Sequence, residues 1–108
     1  MTTRPRKLAK DAGQRFLEKL MGGPLSLGGA LSAIRETEEL SLAVFAERLG
    51  VSRSHLSDIE HGRRAVSPER AARFAAALGH SPAQFIRLAL QDQVRNAGLN
   101  FRVDVHAA

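Results

Sequence analysis

The spacing of apolar residues along this chain changes period once, near Gly98. Leu8, Ala12, Phe16, Leu17 and Leu20 recur at helical spacing, and Gly22, Gly23 and Pro24 stop that run. Met1 to Arg6 lack such a period and are expected to form a disordered arm. Ser26 suits the N-cap of a second helix, with Leu27, Leu31 and Ile34 on its buried stripe. Ser41 and Ser52 cap two short helices separated by Gly50. Ser67 followed by Pro68 is an N-cap with proline at the first helical position, and Gly79 ends that helix. Ser81 and Pro82 repeat the signal, with Gln84 as a capping-box acceptor; the last helix should reach about Ala97 and stop at Gly98. Beyond it Leu99, Phe101, Val103 and Val105 alternate with Asn100, Arg102 and Asp104, the period of two that marks a strand. The pattern predicts an all-α domain of five to six helices with a short C-terminal β-strand. Residues 1–25 would be an arm and amphipathic helix, 26–97 the central helical domain, and 98–108 the strand and tail.

Composition narrows the function classes. At 108 residues the chain has room for one domain with a modest core, and 44% hydrophobic residues support folding. The absence of cysteine excludes disulfides and thiolate metal sites and suits a cytoplasmic protein. No segment approaches the ~18 apolar residues of a membrane span. The opening "MTTRPRKLAKDAGQRF" is basic with no apolar run behind it, so no secretory signal and no membrane partner are expected. Net charge is +5, and arginine outnumbers lysine 13 to 3. Arginine is the better bidentate partner for phosphates and base edges, so the balance favours nucleic acid.

Catalytic motifs fail on inspection. Gly23 and Gly28 have the glycine spacing of a phosphate loop, but Gly29 and Ala30 stand where lysine and a hydroxyl residue belong, so this stretch reads as a linker. His55, His61, His80 and His106 are dispersed, with no i, i+4 pair to grip a metal. Ser54 and His55 are adjacent, and adjacent helical side chains point about 100° apart. The carboxylates of Glu36, Glu38 and Glu39 read as a solvated helix end. No catalytic residue, metal, cofactor or small-molecule ligand is expected.

The stretch "LSLAVFAERLGVSRSHLSDIEHG" survives. From Ser41 to Glu60 is 20 residues, the length of two short helices and a tight turn, with small Ala46 and Gly50 where they must approach and reverse. Its second helix has Leu56 and Ile59 inside, yet Glu60 beside them, and Arg53, Ser54, Ser57 and Asp58 outside. Ser41, Ala46, Gly50, Val51, Ser52, Leu56, Glu60 and Gly62 together make the chain resemble the Cro/phage-repressor (XRE) helix-turn-helix family over about residues 27–79. Leu42 departs from it, standing where the family often has a phosphate-reaching glutamine.

The resemblance implies a lambda-repressor-like fold and double-stranded DNA as partner. It places base contacts at Arg53, Ser54 and Asp58, with Ser57 peripheral, and phosphate contacts at Ser41, Ser52 and His55. Arg53 can donate two bonds to guanine, and Asp58 can accept from cytosine N4 or pair with Arg63 or Arg48. Arg63 and Arg64 follow the helix directly and suit phosphates. Glu60, on an inner face, needs a partner; the family commonly supplies an arginine from its first helix, here Arg35, one turn after Leu31.

The flanks "FLEKLMGGPLSLGGALSAIRETEELS" and "VSPERAARFAAALGHSPAQFIRLALQDQVRNAGLNFRVDV" resemble small HigA-like antitoxins. Those repress their own operons as dimers and bind a protein toxin. A stand-alone XRE regulator without a toxin, or an RNA- or protein-binding adaptor, are the alternatives. A palindromic operator needs two recognition helices roughly 34 Å apart, so a homodimer is expected. Leu99, Phe101, Val103 and Val105 could pair with the same strand of a second copy, or with an edge strand of the toxin. Phe85 and Leu88 lie on a last helix that is apolar on too many sides for one core, and are expected to share in that interface.

Overall fold

The computed structural model describes residues 25–108, which form five helices: α1 (Leu27–Thr37), α2 (Leu42–Leu49), α3 (Arg53–Glu60), α4 (Pro68–Leu78) and α5 (Pro82–Asn96). The arm and the helix expected over Leu8–Leu20 lie outside the described residues. One device starts every helix. Ser26, Ser41, Ser52, Ser67 and Ser81 have extended backbones, and each hydroxyl oxygen accepts from the N–H three residues on. Each cap satisfies an otherwise orphaned donor and contributes about 1 kcal/mol. Gly50 ends α2 in the left-handed region at φ 74°, which lets the chain turn into α3 within three residues. Gln84 does not complete a capping box: its side-chain oxygen accepts from Arg87 Nε at 3.2 Å instead.

Leu27 and Leu31 from α1, Phe45 and Ala46 from α2, Leu56 and Ile59 from α3, Ala71, Phe74 and Ala75 from α4, and Phe85, Leu88 and Ala89 from α5 form one core. Helix α1 touches both α3 and α5, while α2 touches α3 and α4. Two details hold α1 in this position. Its N-terminal Leu27 N–H donates to Asp92 Oδ2 on α5 at 3.1 Å. Gly28 sits where a Cβ would clash with the Ile59 carbonyl and lie 3.2 Å from Glu60 Cα, so only glycine lets α1 approach the end of α3 this closely. Gly28 is therefore part of a buried helix contact and not of a linker.

Two expectations at the C-terminus need correction. Phe85 and Leu88 are only 4% exposed, because α5 is covered by α4 on one side and α1 on another. They are core residues and not the exposed interface residues expected of them. The segment after Gly98 forms no strand among the described residues. It is instead held by one side chain of α5: Gln91 Nε2 donates to the Phe101 carbonyl at 2.7 Å, and Gln91 Oε1 accepts from Val103 N–H at 2.8 Å. A single amide thus meets two backbone groups that a neighbouring strand would otherwise have to satisfy. Leu99 and Phe101 remain 52% and 69% exposed.

Candidate nucleic-acid interface

Helix α3 carries the candidate site, and its seat is built first. Leu56 and Ile59 are buried, with 0% and 2% exposure, which fixes the helix's inner face. Glu60 lies one turn after Leu56, and its side chain is 4% exposed. Arg35 of α1 meets it in a fork: Nε donates to Oε2 at 2.9 Å and Nη2 to Oε1 at 3.0 Å. The third donor, Nη1, reaches the Leu40 carbonyl in the α1–α2 connection at 3.1 Å. One guanidinium therefore joins α1, the connection and the end of α3. The hydrogen bond to Glu60 raises the Arg35 pKa above its ordinary value, against the lowering by burial.

The outer face is then set by helical periodicity. Arg53 and Ser54 occupy the first turn of α3 and are exposed. Among the described residues neither side chain has a recorded hydrogen-bond or ion-pair partner, so their donors are available to a ligand. Ser57 and Asp58 are half-buried. Asp58 Oδ1 accepts from Arg63 Nε at 3.0 Å, and the Asp58 carbonyl accepts from the N–H groups of Arg63 and Arg64. A residue expected to read a base and one expected to hold a phosphate are thus paired with each other. The Ser57 carbonyl takes the His61 N–H and faces His61 Nδ1 at 2.8 Å.

Ser41 and Ser52 stand at the N-termini of α2 and α3. Their oxygens accept from Val44 and His55 N–H groups at 3.2 and 3.0 Å, which leaves each hydroxyl hydrogen to donate outward. His55 has a partner that sequence reasoning missed. Arg70, near the start of α4, places Nη1 3.2 Å from His55 Nε2. With a guanidinium as donor, Nε2 must be the acceptor and the imidazole neutral. Burial first, then the charges of Arg64 and Arg70, lower the His55 pKa, and Asp58 offsets this only in part. Both arginines therefore bring positive charge to the flank of α3, Arg70 by its bond to a neutral histidine and Arg64 close enough to act on the same ring. Arg70 was visible in sequence only as one of many arginines, since its link to His55 spans 15 positions. Among the described residues no three His, Asp or Glu side chains cluster as metal ligands, and no helix is long and apolar enough to cross a membrane.

A family model described as a helix-turn-helix domain matches residues 26–88, which contain α2, the turn and α3 in full. The chain belongs to this helix-turn-helix domain family. No curated protein gives a significant match. Among solved structures, the helix-turn-helix chain is similar to a candidate antidote protein of a plasmid maintenance system from Nostoc punctiforme. That match has 28% identity and a TM-score of 0.62, and covers 68% of this chain and 81% of the other. It is also similar to ClgR, the clp gene regulator of Corynebacterium glutamicum, at 36% identity and a TM-score of 0.49, covering 67% and 77% respectively. As a helix-turn-helix regulator the chain is a DNA-binding protein.

Proposed function

We propose that this chain is a sequence-specific transcriptional repressor that binds a palindromic operator as a homodimer, and that it is the antitoxin of a type II toxin–antitoxin operon. The observation that carries the repressor reading is the pair of exposed donors, Arg53 and Ser54, without a partner among the described residues, on the first turn of a helix locked from behind by Arg35 and Glu60. A rigid helix with free donors at its N-terminal end is what major-groove readout requires. Arg53 supplies two N–H groups to guanine O6 and N7, and Ser54 contacts an adjacent base edge. Asp58 reads a cytosine only by releasing Arg63, and that release frees Arg63 for a phosphate. Ser41 and Ser52, at the N-termini of α2 and α3, and Arg64 and Arg70, near His55, donate to phosphates. Ser57 completes the groove-facing side.

The antitoxin reading is supported by the likeness to the Nostoc punctiforme protein, which extends over most of that chain. It is tested in the native host by affinity capture of the tagged chain from cells. Footprinting on its own promoter, with deletion of this gene alone and together with its neighbour, completes the test. The proposal predicts a protected palindrome, one co-purifying small protein encoded next door, and lethality that disappears when both genes are removed. A protected promoter with no toxic neighbour would leave a stand-alone regulator, and an unprotected promoter would end the repressor reading.

A further inference from the structure

The tail after α5 has two edges, and Gln91 occupies only one. In an extended segment, residues two apart direct their N–H and C=O groups to the same side, and the residues between direct theirs to the other. Gln91 takes the Phe101 carbonyl and the Val103 N–H. The opposite edge then belongs to Asn100, Arg102 and Asp104, whose backbone groups have no recorded partner among the described residues. The exposed Phe101 and half-buried Val103 and Val105 share one face, and the exposed Arg102 and Asp104 share the other.

We propose that two copies of this chain pair antiparallel through these free edges, in the register that sets Arg102 against the partner's Asp104. The register follows from the side chains. With Arg102 opposite the partner's Asp104, the two-fold axis passes between Val103 and the partner's Val103. Phe101 then faces the partner's Val105, and the charge pair occurs twice. Sliding by two residues one way sets Arg102 against itself, and the other way sets Asp104 against itself; like charges directly opposite are destabilising. Sliding by one residue turns the apolar face onto the polar one. Arg102 and Asp104 lie on the free edge, so they form the hydrogen-bonded pairs, while the Val103 pair is a close non-hydrogen-bonded one. Gln91 holds one edge of the tail in place beforehand, which lowers the ordering cost of pairing. This pairing gives the dimer of the operator reading its clasp and rests on that reading only for its purpose.

The test is sedimentation equilibrium of the full chain without DNA, with operator binding measured separately. Failure of the clasp and failure of the repressor reading are therefore distinguishable. Arg102→Asp alone and Asp104→Arg alone each place like charges opposite each other twice, and should weaken dimerisation on the order of tenfold. An equimolar mixture of the two variants restores opposite charges at both positions and should sediment as a dimer like the unaltered chain. The double variant Arg102→Asp/Asp104→Arg should do the same. Both positions are exposed, so unchanged circular dichroism is expected throughout. A chain that is monomeric at all concentrations, single variants that dimerise normally, or a mixture that stays monomeric would each overturn the proposal.

Discussion

Removing one partner of the Arg35–Glu60 pair is the perturbation with the clearest structural magnitude. The two ends of the pair are unequally placed, with Glu60 4% exposed and Arg35 18% exposed. Arg35→Ala strands a nearly buried carboxylate and also releases the Leu40 carbonyl, so its cost should lie in the range of about 3–5 kcal/mol for a broken buried pair. Glu60→Ala leaves a long side chain whose guanidinium already reaches solvent and can move further out, so its cost should be lower, about 2–3 kcal/mol. In the double variant neither charge is stranded, and the loss should fall short of the sum by roughly 1–3 kcal/mol. Urea titrations of the four proteins measure this, with the slope on denaturant unchanged. For a domain this size each kcal/mol corresponds to about 4–8 °C in midpoint, so calorimetry offers an independent reading. Additive losses, or Glu60→Ala costing more than Arg35→Ala, would refute the reasoning.

Three further outcomes follow from single sites. Gly28→Ala should destabilise by about 1–3 kcal/mol in thermal unfolding, although alanine is the better helix former, because the new methyl meets the Ile59 carbonyl; a stabilised variant would mean that α1 does not approach α3 so closely. Burial and the charges of Arg64 and Arg70 hold the His55 pKa below its ordinary value in the free protein while a phosphate would favour its charged form, so operator affinity should rise as the pH is lowered and His55→Gln should flatten that rise; a flat wild-type profile removes His55 from the phosphate contacts. Burial raises the Asp92 pKa, against the Leu27 N–H and Arg95, so the folded state holds this proton more tightly than the unfolded chain. Its contribution to stability should therefore grow as the pH falls from above the folded pKa to below about 3.9, and Asp92→Asn, which keeps an acceptor for Leu27, should lack that component in pH-dependent urea unfolding.

Local chemistry was legible in the sequence, and long-range chemistry was not. The five serine caps and the turn glycines Gly50 and Gly79 act within four residues of themselves, so spacing alone located them. Asp92 caps a helix 65 positions away, which no local pattern records. Gly28 looked like half of a failed phosphate loop, because its need for glycine comes from the backbone of α3 and not from its neighbours. The sequence points Phe85 and Leu88 to an interface because the last helix is apolar on too many sides for one core; α4 and α1 both pack on α5, and both residues are buried in the core. The alternation from Leu99 to Val105 is present, but a strand needs a partner, and within the chain a glutamine side chain stands in for one. At the site, Arg53 and Ser54 lie exposed at the start of α3, while the Asp58–Arg63 and His55–Arg70 pairs depend on where the loop and α4 return.

The central claim is that α3 reads sequence while the arginines around it read charge. Binding isotherms on the promoter palindrome and on a scrambled duplex, at several salt concentrations, test it most directly. Arg53→Ala should cost about 1–3 kcal/mol on the palindrome, relax preference at one base pair and leave scrambled DNA almost unaffected. Replacing Arg64 should weaken both duplexes alike and reduce the salt slope by roughly one. An Arg53→Ala protein that keeps its full preference for the palindrome would contradict the assignment of α3 as the reading helix.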